Sequence, residues 1–344
     1  MKSMVLTGIR KMEMVQKDTP TIGTPGEVLL KLLAAGVCGS DIHYYREGRI
    51  GDQVVNYPFA VGHECVAEVI DIGNQVKGVK IGDTVAVDPC ISCGECSQCL
   101  IGREHTCLNQ KFLGSPPRIE GCLSEYIVMP EKNCYPLPPQ LSVEEGVLVE
   151  PLSIGYYALQ FLKKNSMSKI GILGVGPIGL SVLLIAQQQG IEEIFITDKL
   201  DYRLTFAQKN GAFFCGNPLT RDIVFELFRR VPEGLDAVFE CCGQQDALNQ
   251  AIEILKPGGK LIIVGIPEVE NIYFNISKIR RKEITIHNVR RQNHAVEPVI
   301  NLIAKKEIQV DFLVTHQIPF VRSKEAFDMV ASYEDRVIKA LIRF

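Results

Sequence analysis

One stretch, "KIGILGVGPIGLSVLLIAQQQG" at residues 169–190, constrains the fold of this 344-residue chain more than any other. A short apolar strand runs straight into glycines 174, 176 and 179, and an apolar helical segment follows and stops at Gly190. Each glycine has a separate task. Gly174 makes the tight turn, Gly176 lets the backbone approach a pyrophosphate, and Gly179 lets the helix pack on its strand. The new helix then points unpaired N–H groups at the phosphates. Strand and helix alternate from about residue 168: "EEIFITD" strand, "DYRLTFAQKN" helix ended by Gly211, "LTRDIVFELFRRV" helix, "LDAVFECCG" strand, "DALNQAIEIL" helix, "KPGG" turn and "KLIIVG" strand. This order predicts an α/β, doubly wound parallel sheet. Asp198, at the end of the second strand, is placed to accept bonds from adenosine ribose hydroxyls. Its charge opposes a 2′-phosphate, which selects NAD over NADP, although Lys199 and Arg203 supply basic groups that tolerate a phosphate.

A second constraint is the run "CISCGECSQC" with Cys107 beyond it. Cys-x2-Cys spacing turns two thiolates toward one ion, and Gly94 frees the loop to do so. Zinc is the expected metal. A ferredoxin-type cluster wants a different fourth spacing and a proline, whereas Cys107 comes seven residues after Cys99 and precedes Leu108. Spacing leaves two ligand sets open, Cys90/Cys93/Cys96/Cys99 and Cys93/Cys96/Cys99/Cys107. Either set fills a tetrahedron and leaves no open position, so the lobe is structural and the chemistry lies elsewhere.

Composition narrows the function classes. The net charge of −3 gives no electrostatic reason to expect nucleic acid, and no apolar run is long enough to predict a membrane span. Twelve cysteines behind a start, "MKSMVLTGIRKMEM", without a signal-peptide pattern predict a reducing, cytoplasmic setting and metal ligation rather than disulfides.

The first 150 residues carry a mixed donor set suited to zinc with an open position. "GVCGSDIH" brings Cys38, Ser40 and His43 together, "VGHECVAEV" carries His63 and Glu64 on a loop entering a strand, and "LVEPLSIG" sets Glu150 in an apolar stretch. Taken singly, Cys38 reads as a small buried hydrophobe and His63 as a hydrogen-bonded core histidine. Glu150 is odder, because a buried carboxylate needs a partner, and a divalent cation is one.

With these residues in view, the chain resembles the zinc-dependent medium-chain dehydrogenase/reductase superfamily, in its sorbitol (polyol) dehydrogenase-like branch. The likeness runs in order through "CGSDIHYY", "GRIG", Gly62-His63-Glu64, "CGECSQCLIGREHTC", "SPP" and "VEPLSIG". It implies a mostly β, GroES-like distorted barrel with a zinc lobe over 1–150 and 288–344, and a Rossmann NAD-binding domain over 151–287. It implies two zinc ions per chain, and it selects Cys93, Cys96, Cys99 and Cys107 for the structural one, with Cys90 spare. Cys38, His63 and Glu64 would hold the catalytic zinc with water fourth, and Glu150 would lie beside that water or replace it, the two exchanging during turnover. Ser40 would relay the proton. Tyr44, Phe112, Ser115 and Arg290 match substrate positions, and Arg291 departs from the tyrosine usual there. The cofactor positions are Gly174, Gly176, Pro177, Ile178, Gly179, Asp198, Arg203, Val264, Gly265, Ile266, Val289 and Arg290. His105, His287, His294 and His316 stay outside the chemistry, while His43 matches a position near the cofactor or the proton relay.

The implied activity is NAD-dependent oxidation of a secondary alcohol of a polyol, sorbitol- or xylitol-like, to a ketose by a homotetramer or homodimer. Two rivals are weighed against it. L-threonine 3-dehydrogenase, or another zinc alcohol dehydrogenase, shares the Gly-His-Glu motif, but "VEPLSIG" departs from the threonine pattern. A non-catalytic NAD-binding protein would have lost a ligand, and Cys38, His63, Glu64 and Glu150 are all present.

Overall fold

The computed structural model describes residues 1–162 and 169–344, so Ser168, at the expected onset of the alternating pattern, lies outside the described residues. Two compact units form, Met1–Glu150 with Val296–Phe344, and Pro151–Ala295.

The second unit is built on a six-stranded sheet in which every pairing is parallel. Its spatial order is Phe214–Gly216, Glu193–Thr197, Lys169–Leu173, Leu235–Glu240, Leu255–Ile263, Thr285–Asn288. The chain starts in the middle, works to one edge, then returns and works to the other. The order therefore reverses beside Lys169–Leu173, and the carboxyl ends there are where such sheets bind ligands. Near-continuous burial explains the strands: Leu235–Glu240 is buried at every position. Two expectations shift. "KPGG" lies inside the strand Leu255–Ile263, where the register jumps from Leu235↔Leu255 to Ala237↔Lys260. Its turn chemistry, with Gly258 at φ +75°, makes a bulge within the strand rather than a turn before it. The "LTRDIVFELFRRV" helix forms only over Ile223–Arg230, because Asn217 Oδ1 accepts from Leu219 N (3.0 Å) to hold a turn and Asp222 caps the helix from Phe225 N (3.0 Å).

The first unit holds a seven-stranded sheet ordered Cys134–Pro136, Thr84–Val87, Glu64–Ile72, Glu27–Gly36, Lys339–Arg343, Val314–Pro319, with Tyr126–Pro130 also paired to Glu27–Gly36. Leu30, Leu32, Cys65, Val85 and Ile342 from four of these strands share one buried core. At its centre Gly36 pairs with Glu64 on one side and with Leu341 on the other. A helix not foreseen from sequence, Val143–Leu159, carries Glu150. No helix among the described residues is long and apolar enough to cross a membrane.

Candidate metal and cofactor sites

The cysteine lobe is built by one loop. Cys96 caps the short helix Ser97–Leu100, whose first turn returns Cys99 to the same side, and Cys107 follows a 3-10 turn. The sulfur atoms lie 3.5 Å (Cys96–Cys99), 3.5 Å (Cys93–Cys107), 3.8 Å (Cys96–Cys107) and 4.0 Å (Cys93–Cys99) apart. Zinc–sulfur bonds of about 2.3 Å in a tetrahedron require sulfurs about 3.8 Å apart, so these four fit the ion. The same four form one candidate metal group, and Cys90 is outside it, its sulfur taking Gln110 Nε2 at 2.8 Å. Backbone N–H groups of Cys99 and Leu108 pull the Cys96 thiol down to about 6, while desolvation and its neighbours push Cys99 up to about 12. Four sulfurs this close are suited to a dication, whose charge compensates thiolates brought together.

The second cluster is assembled from distant segments. Cys38 is the N-cap residue of the helix Gly39–Glu47. One donor atom each from Cys38, His63 and Glu64 lie within 4.8 Å of one another. Glu150 does not join that group. It is 7 % exposed, its Oε2 has no hydrogen-bond partner, and burial pushes its pKa up to about 7 against the pull of His63. An orphaned buried carboxylate oxygen next to a thiol–imidazole–carboxylate set is what a divalent cation satisfies, so the residues fit zinc.

Two residues that sequence reasoning left unassigned complete this cluster. Asp41 is fully buried. Its Oδ2 accepts from Cys38 N (3.1 Å), and its Oδ1 accepts from Gly62 N (3.1 Å) and lies 3.4 Å from His63 Nδ1. It therefore fixes the ring and leaves Nε2 as the metal-binding nitrogen. Burial lowers the His63 pKa, but Asp41 and Cys38 outweigh it and hold the imidazole well above its usual value. Its sequence signal was a capping box, an acid three residues after the cap. The other is Lys339, whose Nζ lies 2.6 Å and 2.8 Å from the two Glu64 oxygens. A lone lysine inside the apolar run "VIKALI" signals a buried partner as plainly as Glu150 does.

Around the cluster, Ser40 Oγ donates to Cys38 Sγ at 3.4 Å, and the Phe112 ring lies 5.2 Å from the His63 ring. Ser115 is buried and Tyr44 donates its hydroxyl to Gln53 Oε1 at 2.9 Å. Arg290 is exposed and belongs to the second unit.

In that unit, Gly174 has φ +89°, and a Cβ there would stand 2.7 Å from Cys242 Cβ; a Cβ on Gly179 would stand 2.1 Å from Gly174 O. The turn therefore admits only glycine at both positions, and Gly176 caps the helix Pro177–Gln188, with Pro177 first and Ile178 second. Asp198 accepts from Val175 N (2.8 Å) and Leu200 N (2.9 Å), with Arg203 Nη1 4.0 Å away. Each carboxylate oxygen keeps a further lone pair, so holding the loop does not exclude taking a ribose hydroxyl. Val264 N and Gly265 N bond Glu240 O (2.8 and 2.9 Å), Ile266 is exposed, and Val289 N bonds Ile263 O (2.9 Å), so these residues sit at the ends of neighbouring parallel strands.

Comparison with known proteins bears on both units. Residues 24–139 match the alcohol dehydrogenase GroES-like domain model, and residues 177–305 match the zinc-binding dehydrogenase model. Sorbitol dehydrogenase of Bacillus subtilis is 35% identical over 99% of this chain and 97% of its own length. An Escherichia coli oxidoreductase/dehydrogenase of unknown specificity superposes with a TM-score of 0.93 at 31% identity, covering 99% of this chain and 98% of its own. An E. coli alcohol dehydrogenase solved with NADH gives 0.90 at 26% identity, covering 100% and 99%.

Proposed function

This chain belongs to the zinc-dependent medium-chain dehydrogenase/reductase family, in its sorbitol dehydrogenase-like branch, and from that premise we propose that it oxidises a secondary alcohol of a polyol to a ketose with NAD. The observation that carries the reading is the convergence of one thiol, one imidazole and one carboxylate within 4.8 Å. When bound, zinc supplies Lewis acidity that lowers the pKa of a ligated hydroxyl, and NAD supplies the ring that accepts hydride.

The chain's own residues do the rest. Cys38, His63 and Glu64 hold the catalytic ion, Asp41 keeps the His63 ring in its tautomer, and Glu150 is the reserve carboxylate. Ser40, already donating to Cys38 Sγ, takes the alcohol's proton and hands it on. Phe112 covers the imidazole and excludes water, and Tyr44 and Ser115 complete the pocket wall. Arg290 contacts the substrate end or the cofactor. Gly174, Gly176, Pro177, Ile178 and Gly179 take the pyrophosphate, Asp198 and Arg203 the adenosine ribose, and Val264, Gly265, Ile266 and Val289 the nicotinamide half. Cys93, Cys96, Cys99 and Cys107 hold the structural zinc.

We read the enzyme as a cytoplasmic homotetramer or homodimer. The chain's twelve cysteines support a reducing compartment, and the exposed Tyr273 and Ile276, which lie in sequence between the strands Leu255–Ile263 and Thr285–Asn288, support a subunit contact.

The test is the initial rate of NADH formation with sorbitol, xylitol, ribitol, a phosphorylated polyol, L-threonine and ethanol. The expected result is turnover on a polyol. Turnover on threonine alone would overturn the reading.

A further inference from the structure

Glu240 sits where the loops of three neighbouring strands meet. It ends the strand Leu235–Glu240, is 0 % exposed, and pairs in register with Leu173 on one side and Ile263 on the other. Those two neighbours lead directly into the glycine turn and into Val264, Gly265 and Ile266. The Glu240 carbonyl accepts from Val264 N (2.8 Å) and Gly265 N (2.9 Å), and its carboxylate Oε1 accepts from Cys242 N (2.7 Å) and Gly243 N (2.6 Å). One residue thus holds the start of two loops. Glycines bring those loops into contact. A Cβ on Gly243 (φ +70°) would stand 2.1 Å from Ile266 O, and one on Gly265 would stand 2.4 Å from Gly243 N, so neither position has room for a side chain.

The other carboxylate oxygen, Oε2, is buried with no hydrogen-bond partner, and a Cβ on Gly265 would stand 2.9 Å from it. It therefore faces the loop that receives the nicotinamide half on the proposed reading. Burial and the Glu240 charge push the Cys241 and Cys242 thiols up, so neither becomes a second anion. Among the described residues no side-chain cation pairs with Glu240. A buried carboxylate without a counter-charge is unfavourable, and a cation brought into its field offsets that penalty. The oxidised nicotinamide ring is such a cation, and it becomes neutral once it has accepted hydride. We propose that Glu240 is a positioning residue for the nicotinamide half of NAD: it fixes the two loops, and its unpaired oxygen favours the oxidised, positively charged ring over the reduced, neutral one. A weaker hold on NADH than on NAD eases release of the product of alcohol oxidation. The inference rests on the reading of Val264, Gly265 and Ile266 as nicotinamide contacts.

The experiment is calorimetric titration of the purified, zinc-loaded enzyme with NAD and, separately, with NADH, in the absence of alcohol. The readout is the ratio of the two dissociation constants, which needs no turnover. Glu240→Gln keeps an acceptor for Cys242 N and Gly243 N and removes the charge. It should weaken NAD at least about fivefold more than it weakens NADH, because only the oxidised ring loses an attraction. Glu240→Asp keeps the charge and should leave the ratio near wild type, even where both cofactors bind less tightly. A glutamate that only propped up the loops would weaken both cofactors alike. An unchanged ratio in Glu240→Gln, or one shifted toward NAD, therefore overturns the proposal. If Glu240→Gln does not fold, Glu240→Asp and Glu240→Asn, equal in length and different in charge, give the same comparison with the same expectation and the same refutation. A wild-type chain that binds neither NAD nor NADH would remove the cofactor reading and this inference with it, an outcome recognised before any variant is made.

Discussion

The two cysteine-bearing sites of the first unit are built on opposite plans. The lobe takes all four sulfurs from residues 93–107, and its geometry is closed within one loop. The other cluster draws on a helix cap at Cys38, a strand entry at His63 and Glu64, a helix at Glu150 and a distant strand at Lys339. The lobe has like ligands and no vacancy, which suits an ion that never leaves. The cluster has unlike ligands, an unpaired carboxylate oxygen and a counter-charge, which suits an ion whose coordination changes. On the proposed reading, position in sequence separates a metal used as a staple from a metal used as a reagent.

Three substitutions test that contrast. Cys38→Ser should abolish NADH formation while NADH still binds by fluorescence titration; full activity would remove Cys38 from the catalytic set. Cys99→Ala should release one zinc per chain and lower the melting temperature by roughly 5–10 °C, through lost folding energy rather than lost chemistry. An unchanged melting curve with the lobe still loaded would show that the loop does not depend on that sulfur. Cys90→Ser should have the smallest effect, about 1 kcal/mol or less from its bond to Gln110, with zinc content unchanged by metal analysis. Loss of a zinc from that variant would return Cys90 to the ligand set and blur the closed geometry of the lobe.

The same contrast explains what could be read from sequence. The glycine turn at 174–179 and the lobe are local, since each depends on spacings within one loop, so pattern and chemistry coincide. Strand and helix in the second unit follow from period and burial, with the bulge at Lys256–Gly259 misread because turn residues inside a strand look like a strand's end. The cluster around Cys38 became legible as a set only through resemblance, because strand register joins its members. Gly36 shows why. Its need for glycine comes from a carboxylate on the next strand, and nothing adjacent to it in sequence announces that. Asp41 and Lys339 carried signals of their own, a cap position and a charge in an apolar strand, and each gains its meaning from a partner that the chain reaches later or earlier.

The first unit is interrupted by the second, and this fixes an order of assembly during synthesis. Glu64 leaves the ribosome early, whereas Lys339 follows only after the whole Pro151–Ala295 unit has been made. Domains tend to fold as they emerge, so the second unit can be complete while the first still lacks the strand Lys339–Arg343 beside Gly36. Until that strand arrives, the Glu64 carboxylate has no ammonium, and water must solvate it. A nascent chain therefore has its nucleotide-binding half ready before its reaction centre can close, and competence for catalysis waits on residues translated after that half.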